Sequence, residues 1–207
     1  MPNWCFSIVV AEGPKEQIDK LYNTMNKLEN MPEPYSDNGF GKTWYGCLVD
    51  YLGGSWENTR CRGAWRELEM AEDGLTLRWT DETAWGPVEE TFKFIEKSLP
   101  GIKIYFQSEE PGMELYSSND LERKYFSDRY ILASDWDTEY YEDGEFDILL
   151  QNASELFGQE VSSKEQLIKL CDESDDICFH EFSLEEKHKL LIGNISGFFK
   201  VFAAHSA

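Results

Sequence analysis

Aromatic and arginine side chains are concentrated between residues 43 and 85 of the chain. Five of them could form a binding site, namely Trp44, Trp56, Arg60, Arg62 and Trp85. Indole rings can stack on a flat ligand and guanidinium groups can bind an anion, so this set suits a small-molecule-binding domain or a small enzyme. The same rings could instead fill the protein interior, because tryptophan is also a large core residue. The sequence leaves both alternatives open.

A second set of polar residues lies in an acidic stretch that begins at residue 135. Its candidate partner-binding residues are Asp135, Asp137, Glu139, Glu142 and Asp143. Their alternation resembles a calcium loop, but Tyr140 stands where an EF-hand loop needs glycine, so we predict no metal site. Carboxylates that do not bind a metal can pair with basic side chains of another protein, and we therefore expect a basic protein as the partner.

No pattern of nucleophilic, metal-dependent or cofactor-dependent catalysis stands out in the chain. The five cysteines are scattered, and no two of them have the spacing of a zinc or iron–sulfur pair. The glycine patterns of phosphate and dinucleotide loops do not occur either. The sequence therefore predicts no catalytic residue, no cofactor and a non-enzymatic protein.

The charge balance narrows the classes of partner. The chain has 40 acidic and 19 basic residues, a formal net charge of -21. Direct binding to nucleic acid is not expected, because that affinity comes from Lys and Arg displacing counterions. A protein that imitates the phosphate array of DNA is an alternative. The chain shows neither a membrane-spanning apolar stretch nor a signal-peptide pattern, so we expect a cytoplasmic protein without membrane contact.

Hydrophobic periodicity predicts the elements that position these residues. A strand near the N-terminus leads through Pro14 into a helix, whose apolar residues recur every three or four positions from Ile18 to Leu28. The following elements are expected to be a short helix over 43–52, strands over 65–70 and 75–81, a helix over 87–99 and a strand over 102–109. The Asp73-Gly74 pair between the two middle strands predicts a hairpin turn.

This order predicts an α+β fold of the ferredoxin-like βαββαβ class. Right-handed crossovers place the two principal helices on one face of a four-stranded antiparallel sheet. A hairpin of residues 113–118 and 129–135 is expected to extend that sheet. We predict a ferredoxin-like domain over residues 1–135, with an insertion at about 30–64, and an acidic C-terminal subdomain or extension over residues 136–207.

The C-terminal segment is expected to be mostly helical. The predicted elements are a helix near 145–157, a helix over 164–172 capped by Ser162, a strand over 177–182 and a helix that starts after Ser183. Glu186 would complete a capping box at the start of that last helix.

Three short motifs occur in order along the chain. They are Met1-Pro2-Asn3-Trp4-Cys5, Thr83-Ala84-Trp85-Gly86-Pro87 and Glu109-Glu110-Pro111-Gly112. Together they resemble the YubB-like ferredoxin-like domain family of bacterial, plasmid and phage proteins, over roughly residues 1–135. The resemblance implies the fold and an origin linked to mobile elements, but no established activity and no iron–sulfur cluster. The chain departs from the family pattern at Gly53-Gly54-Ser55-Trp56, and its acidic tail lies outside the match.

The sequence thus predicts a non-enzymatic, acidic protein-interaction module. The alternatives are a small-molecule-binding domain or small enzyme with a pocket near residues 43–64, a DNA mimic, and a structural homodimer joined through exposed sheet edges.

Overall fold

The computed structural model describes residues 2–37 and 39–184 and has an α+β fold, as the sequence predicts. The chain divides into two compact units, Met1–Leu115 and Tyr116–Ala207, called unit 1 and unit 2 below. The composition shift at residue 136 therefore lies inside unit 2. Within the described ranges, no helix is both long enough and apolar enough to cross a bilayer.

Unit 1 contains every helix and strand that hydrophobic periodicity predicts for it. The elements are β1 (Trp4–Glu12), α1 (Lys15–Glu29), α2 (Tyr45–Tyr51), β2 (Gly63–Met70), β3 (Thr76–Ala84), α3 (Glu89–Ser98) and β4 (Lys103–Glu110). The strands form the order β2-β3-β1-β4, and each neighbouring pair is antiparallel. The predicted hairpin between β2 and β3 is confirmed, and Gly74 occupies its turn with a φ of 67°.

One face of the unit 1 sheet packs against the helices. Alternate residues of β1 and β3, such as Val9, Leu77 and Trp79, point into this core and are fully buried. Ile18 of α1 and Ile95 of α3 pack into the same cluster. The helices therefore cover a single face, and the opposite face of β1 carries exposed aromatic side chains.

Unit 2 is built around a separate three-stranded antiparallel sheet. Its elements, from the end of unit 1, are β5 (Leu115–Ser118), β6 (Asp128–Ser134), β7 (Thr138–Glu142), α4 (Phe146–Phe157), α5 (Lys164–Asp172), β8 (Ile177–Glu181) and β9 (Ser183–Leu184). The sheet order is β7-β6-β8, and β5 pairs in parallel with β9. Leu132, Tyr141, Leu149 and Leu167 bury one face of the sheet under α4 and α5.

The predicted hairpin of residues 113–118 and 129–135 is wrong. β6 does not pair with β5, because β7 and β8 occupy both of its edges. β7 is not predicted from the sequence, because it lies in the acidic segment that was expected to be mostly helical. The cap of α5 differs by one residue, since the Ser163 side chain, not that of Ser162, accepts the hydrogen bond from the backbone nitrogen of Gln166. The helix predicted after Ser183 lies outside the described residues.

Candidate functional site

The tip of the hairpin formed by β6 and β7 presents a single large aromatic side chain. Trp136 is 92 % exposed there, and Asp135 and Asp137 flank it in the chain. The Ser134 backbone nitrogen donates a 2.8 Å hydrogen bond to the Asp137 carbonyl, which closes the turn. The Thr138 nitrogen donates a 2.9 Å bond to the Asp137 carboxylate. The tip is thus a closed turn that exposes an indole whose two neighbours in the chain are aspartates.

Glu139 is exposed on β7, on the same face of the strand as the buried Tyr141, and its carboxylate accepts two hydrogen bonds. The Tyr141 hydroxyl donates to the Glu139 carboxylate, and the Asn152 amide donates to the same oxygen at 3.0 Å. Asn152 also donates to the Tyr141 hydroxyl at 2.9 Å. Burial is the largest cause that raises the pKa of Tyr141 to about 12, and the Glu139 bond raises it further. This carboxylate therefore serves to join β7 to α4.

Two more of the predicted acidic residues have partners within unit 2. Asp143 forms ion pairs with Arg123 and with Arg129, the second at 3.8 Å. Glu142 and Glu145 form a capping box, in which the Glu142 backbone nitrogen donates to the Glu145 carboxylate at 3.0 Å. Of the five predicted partner-binding residues, Asp135 and Asp137 are therefore the two at the tip beside Trp136.

The predicted ligand-binding tryptophans pack against each other in unit 1. Trp44 is buried in the core, and its ring lies 5.4 Å from the exposed ring of Trp56 in an edge-on arrangement. The ring centroid of Phe40 lies 5.5 Å from that of Trp44, with the two ring planes tilted by 30°. The indole of Trp44 thus belongs to the core cluster, whereas Trp56 covers it at the surface.

Arg60, Arg62 and Trp85 lie together around the end of β3. The Arg60 guanidinium donates a 3.3 Å bond to the Ala84 carbonyl, and the Ala84 nitrogen donates a 2.9 Å bond to the Arg62 carbonyl. Trp85 adopts a left-handed backbone with a φ of 71°, which is rare for a bulky residue. Its nitrogen donates a 3.0 Å bond to the Asn3 carbonyl. The structure thus brings the two arginines to the Trp85 turn, while Trp44 and Trp56 form a separate pair.

A buried polar cluster crosses the helix-facing side of the sheet. Ser7 lies opposite Asp81 on one side and opposite Ser108 on the other, and its hydroxyl accepts a 2.9 Å bond from Ser108. One row away, the Thr83 hydroxyl donates a 2.9 Å bond to the Gly86 carbonyl. All these side chains are buried, and one carboxylate oxygen of Asp81 has no hydrogen-bond partner in the structure.

The electrostatics of this cluster do not produce an activated nucleophile. Burial raises the pKa of Asp81 to about 7, and the hydrogen bond from Tyr45 offsets part of that effect. Burial, with the Asp81 charge next in size, raises the pKa of the Cys5 thiol to about 12. A thiol with such a pKa stays protonated at neutral pH and is a poor nucleophile. Among the described residues, no group of three or more His, Cys, Asp or Glu could hold a metal ion.

Trp136, Tyr45 and Asp81 are not among the site residues predicted from the sequence. The burial of Asp81 could have been predicted, because Asp81 continues the inward-facing alternation of Leu77 and Trp79 on β3. The sequence gives a weaker indication for Trp136, which is an apolar residue between two aspartates in a stretch of turn-forming residues. Its position at a hairpin tip depends on β7.

Comparisons with protein-family models, with curated proteins and with solved structures find no match for this chain.

Proposed function

We propose that this protein is a non-enzymatic interaction module that binds a basic protein partner through the tip of the β6–β7 hairpin. The observation that carries the proposal is the 92 % exposure of Trp136 between Asp135 and Asp137. Single exposed apolar residues are common on protein surfaces, but here the exposed indole occurs together with two flanking carboxylates and a hydrogen-bonded turn.

Tryptophan is suited to anchor a protein interface. It offers a large apolar surface with only two rotatable side-chain bonds, and it is enriched among residues that dominate binding energies. The flanking carboxylates of Asp135 and Asp137 favour a partner pocket with a basic rim, because opposite charges steer the encounter and exclude acidic competitors. The net charge of -21 also favours a basic partner.

The hairpin also limits the entropy that would be lost on binding. β6 is the central strand of its sheet and pairs with β7 on one edge and β8 on the other. The Asp137 nitrogen donates a 3.3 Å bond to the Ser134 hydroxyl, in addition to the backbone bond that closes the turn. A turn held in this way is already ordered before a partner arrives, which favours affinity.

The burial of the polar cluster in unit 1 supports the non-enzymatic part of the proposal. Ser7, Asp81 and Ser108 are each less than 5 % exposed, so a substrate would have to open the sheet–helix interface to reach them. General acid–base catalysis requires the catalytic side chain to lie within hydrogen-bond distance of the substrate, and these buried side chains do not meet that requirement.

For unit 1 we propose a ferredoxin-like fold and membership of the YubB-like family. The strand order β2-β3-β1-β4 with antiparallel neighbours supports the fold. The family proposal is supported by the proximity of the three motifs. The backbone nitrogen of Trp85 donates a hydrogen bond to the Asn3 carbonyl. A Cβ at Gly112 would lie 2.9 Å from the side-chain nitrogen of Asn3. We also propose a cytoplasmic location, which is supported by the amino-acid composition alone.

Affinity capture from native cell extract tests the interaction. The full-length protein should capture one basic protein in stoichiometric amount at low salt, and about 1 M salt should release it because the contact is largely electrostatic. Trp136→Ala and the double variant Asp135→Asn/Asp137→Asn should each weaken binding of that purified partner by about tenfold or more.

Two matched controls separate the tip from general surface effects. Asp175→Asn/Asp176→Asn removes the same charge from exposed positions elsewhere in unit 2, and Leu121→Ala removes an apolar side chain that is 59 % exposed. Both controls should bind as the wild type does. The proposal is wrong if no such partner is captured, or if the Trp136 variant binds the partner as tightly as the controls.

A further inference from the structure

The outward side of α4 carries a row of exposed apolar side chains. Ile148 is 51 % exposed and Leu156 is 47 % exposed, and both belong to this helix. Asn152 lies between them in the same row, because side chains four positions apart share one face of a helix. The Asn152 amide donates to Glu139 and to the Tyr141 hydroxyl, so the row runs beside β7. The part of the chain that the structure describes leaves about half of this apolar surface in water.

The neighbouring row of α4 is acidic. Its members are Asp147, Gln151 and Glu155, which are all exposed and each of which directly precedes a residue of the apolar row. Within the described ranges, the side chains of Asp147 and Glu155 form no ion pair and accept no hydrogen bond. The helix therefore presents an apolar row with two carboxylates along one side, and no described residue neutralises either charge.

The chain continues beyond Leu184, the last described residue, and its composition changes there. Residues 187–207 contain three lysines and no acidic residue, although the whole chain has a net charge of -21. Apolar residues recur among them every three or four positions, at Leu191, Ile195, Phe198 and Phe202. Residues 185–207, called the 185–207 segment below, thus combine apolar with basic side chains. That combination complements a surface that is apolar along one row and acidic along the next.

The 185–207 segment is long enough to reach α4. It follows β9, which belongs to unit 2 together with α4. A compact unit of this size has a radius of gyration of about 12 Å. A chain can span up to about 3.3 Å per residue, so the stretch from Leu184 to Ile195 can cover up to about 36 Å. This distance is comparable to the width of the unit.

We propose that the 185–207 segment binds to α4 of its own chain. Its apolar residues cover Ile148 and Leu156, and its lysines pair with Asp147 and Glu155. Removing half-exposed Ile and Leu side chains from water is favourable, and the carboxylates beside the apolar row fix the placement of the segment. A separate partner with the same chemistry would also lose its translational freedom on binding, whereas a segment of the same chain does not. The proposal does not involve Trp136 and is independent of the function proposed for the hairpin.

Methyl NMR of the full-length protein tests the contact directly. The methyl groups of isoleucine and leucine are labelled, and nuclear Overhauser effects to phenylalanine ring protons are recorded. The methyl groups of Ile148 and Leu156 should each show an effect to Phe198 or Phe202. Those of Ile168, which is 41 % exposed on α5, are the control and should show no effect to either ring. A sample that mixes labelled with unlabelled chains should show no effect between different chains.

Hydrogen exchange measures the contribution of the apolar row. Binding should protect the amides of residues 190–202, and the double variant Ile148→Ser/Leu156→Ser should accelerate their exchange about tenfold. Ile168→Ser makes the same kind of change on α5 and should leave the exchange unchanged. An unchanged circular dichroism spectrum shows that each variant is folded.

The contribution of the acidic row is measured in the same way. Asp147→Asn/Glu155→Gln should accelerate the exchange of the same amides several-fold, because the lysines lose their partners. Glu165→Gln/Asp172→Asn removes the same charge from exposed positions of α5 and should have no effect.

Three results would overturn the proposal. The amides of residues 190–202 could exchange as fast as those of a free peptide, or the α5 variants could act as strongly as the α4 variants. Overhauser effects that appear only between different chains would assign the surface to a second copy instead. Loss of the hairpin partner would leave the proposal unaffected.

Discussion

The hydroxyl of Tyr45 donates a 2.7 Å hydrogen bond to the carboxylate of Asp81 inside the core of unit 1. The Trp79 indole nitrogen in turn donates a 2.7 Å bond to the Tyr45 oxygen. These three buried side chains join α2 to the centre of β3 through polar contacts. The chain of bonds ends at Asp81, whose other carboxylate oxygen has no partner in the structure.

Asp81 should make the stability of the protein depend on pH near neutrality. Burial raises its pKa from 3.8 to about 7, so the folded protein holds a proton that the unfolded chain releases. The free energy of unfolding should therefore fall as pH rises, by on the order of 3 kcal/mol between about pH 5 and about pH 8. Urea denaturation across this range measures the slope. Asp81→Asn should remove most of it, and an unchanged slope in that variant would contradict the assignment.

Tyr45→Phe should destabilise the protein by about 1–3 kcal/mol, because both Asp81 and the Trp79 indole lose their partner. The loss should be larger at about pH 8 than at about pH 5, since the missing bond stabilises the ionised form of Asp81. Urea denaturation at both pH values measures it. Tyr51→Phe is the control, because the Tyr51 hydroxyl accepts a 2.8 Å bond from the exposed amine of Lys27. Equal losses in the two variants would argue against a special role for the buried hydroxyl.

Gly86→Ala should lower the free energy of unfolding by about 1–3 kcal/mol because of backbone strain. Gly86 has a φ of 142°, and a Cβ there would lie 3.3 Å from the Leu115 side chain. Gly144→Ala provides the comparison, since a Cβ at Gly144 would meet no atom within 4 Å. Chemical denaturation should show Gly144→Ala within about 0.5 kcal/mol of the wild type. A similar cost at both glycines would show that the Gly86 conformation is not the cause.

Trp136→Ala should leave folding stability within about 0.5 kcal/mol of the wild type, because the indole is almost fully in water. Thermal and urea unfolding of the purified variant provide the measurement. A clear destabilisation would mean that Trp136 packs against its own chain, and the binding effect expected of this variant would then have a structural cause.

Thiol reactivity should follow burial and pKa. Cys178 is exposed, whereas burial raises the pKa of Cys171 to about 11 and that of Cys5 to about 12. Iodoacetamide reacts with the thiolate, so labelling of the native protein should modify Cys178 first, with Cys5 protected until unfolding. Peptide mass spectrometry over time gives the order. Early modification of Cys5 would show that the sheet–helix interface opens readily.

Local patterns were sufficient for most elements of unit 1. The apolar spacing of Ile18 and Leu28 predicts α1, and Asp73-Gly74 predicts the hairpin, because both depend on residues close together in the chain. β7 was missed for the opposite reason. Its strand conformation comes from pairing with β6, and the acidic composition of the segment outweighed the β-forming Thr138, Tyr140 and Tyr141.

The sequence alone determined the α+β class, the elements of unit 1 and the strongly acidic surface, since these follow from periodicity and from the count of charges. Only the tertiary structure decided which side chains meet. Phe6, Glu82 and Glu109 are distant in the chain and become neighbours through strand register. Trp44 is buried because other elements pack around it, whereas Trp136 is exposed because it lies at the tip of a hairpin. An indole has the same chemistry in both places, so the choice depends on long-range contacts that local sequence does not encode.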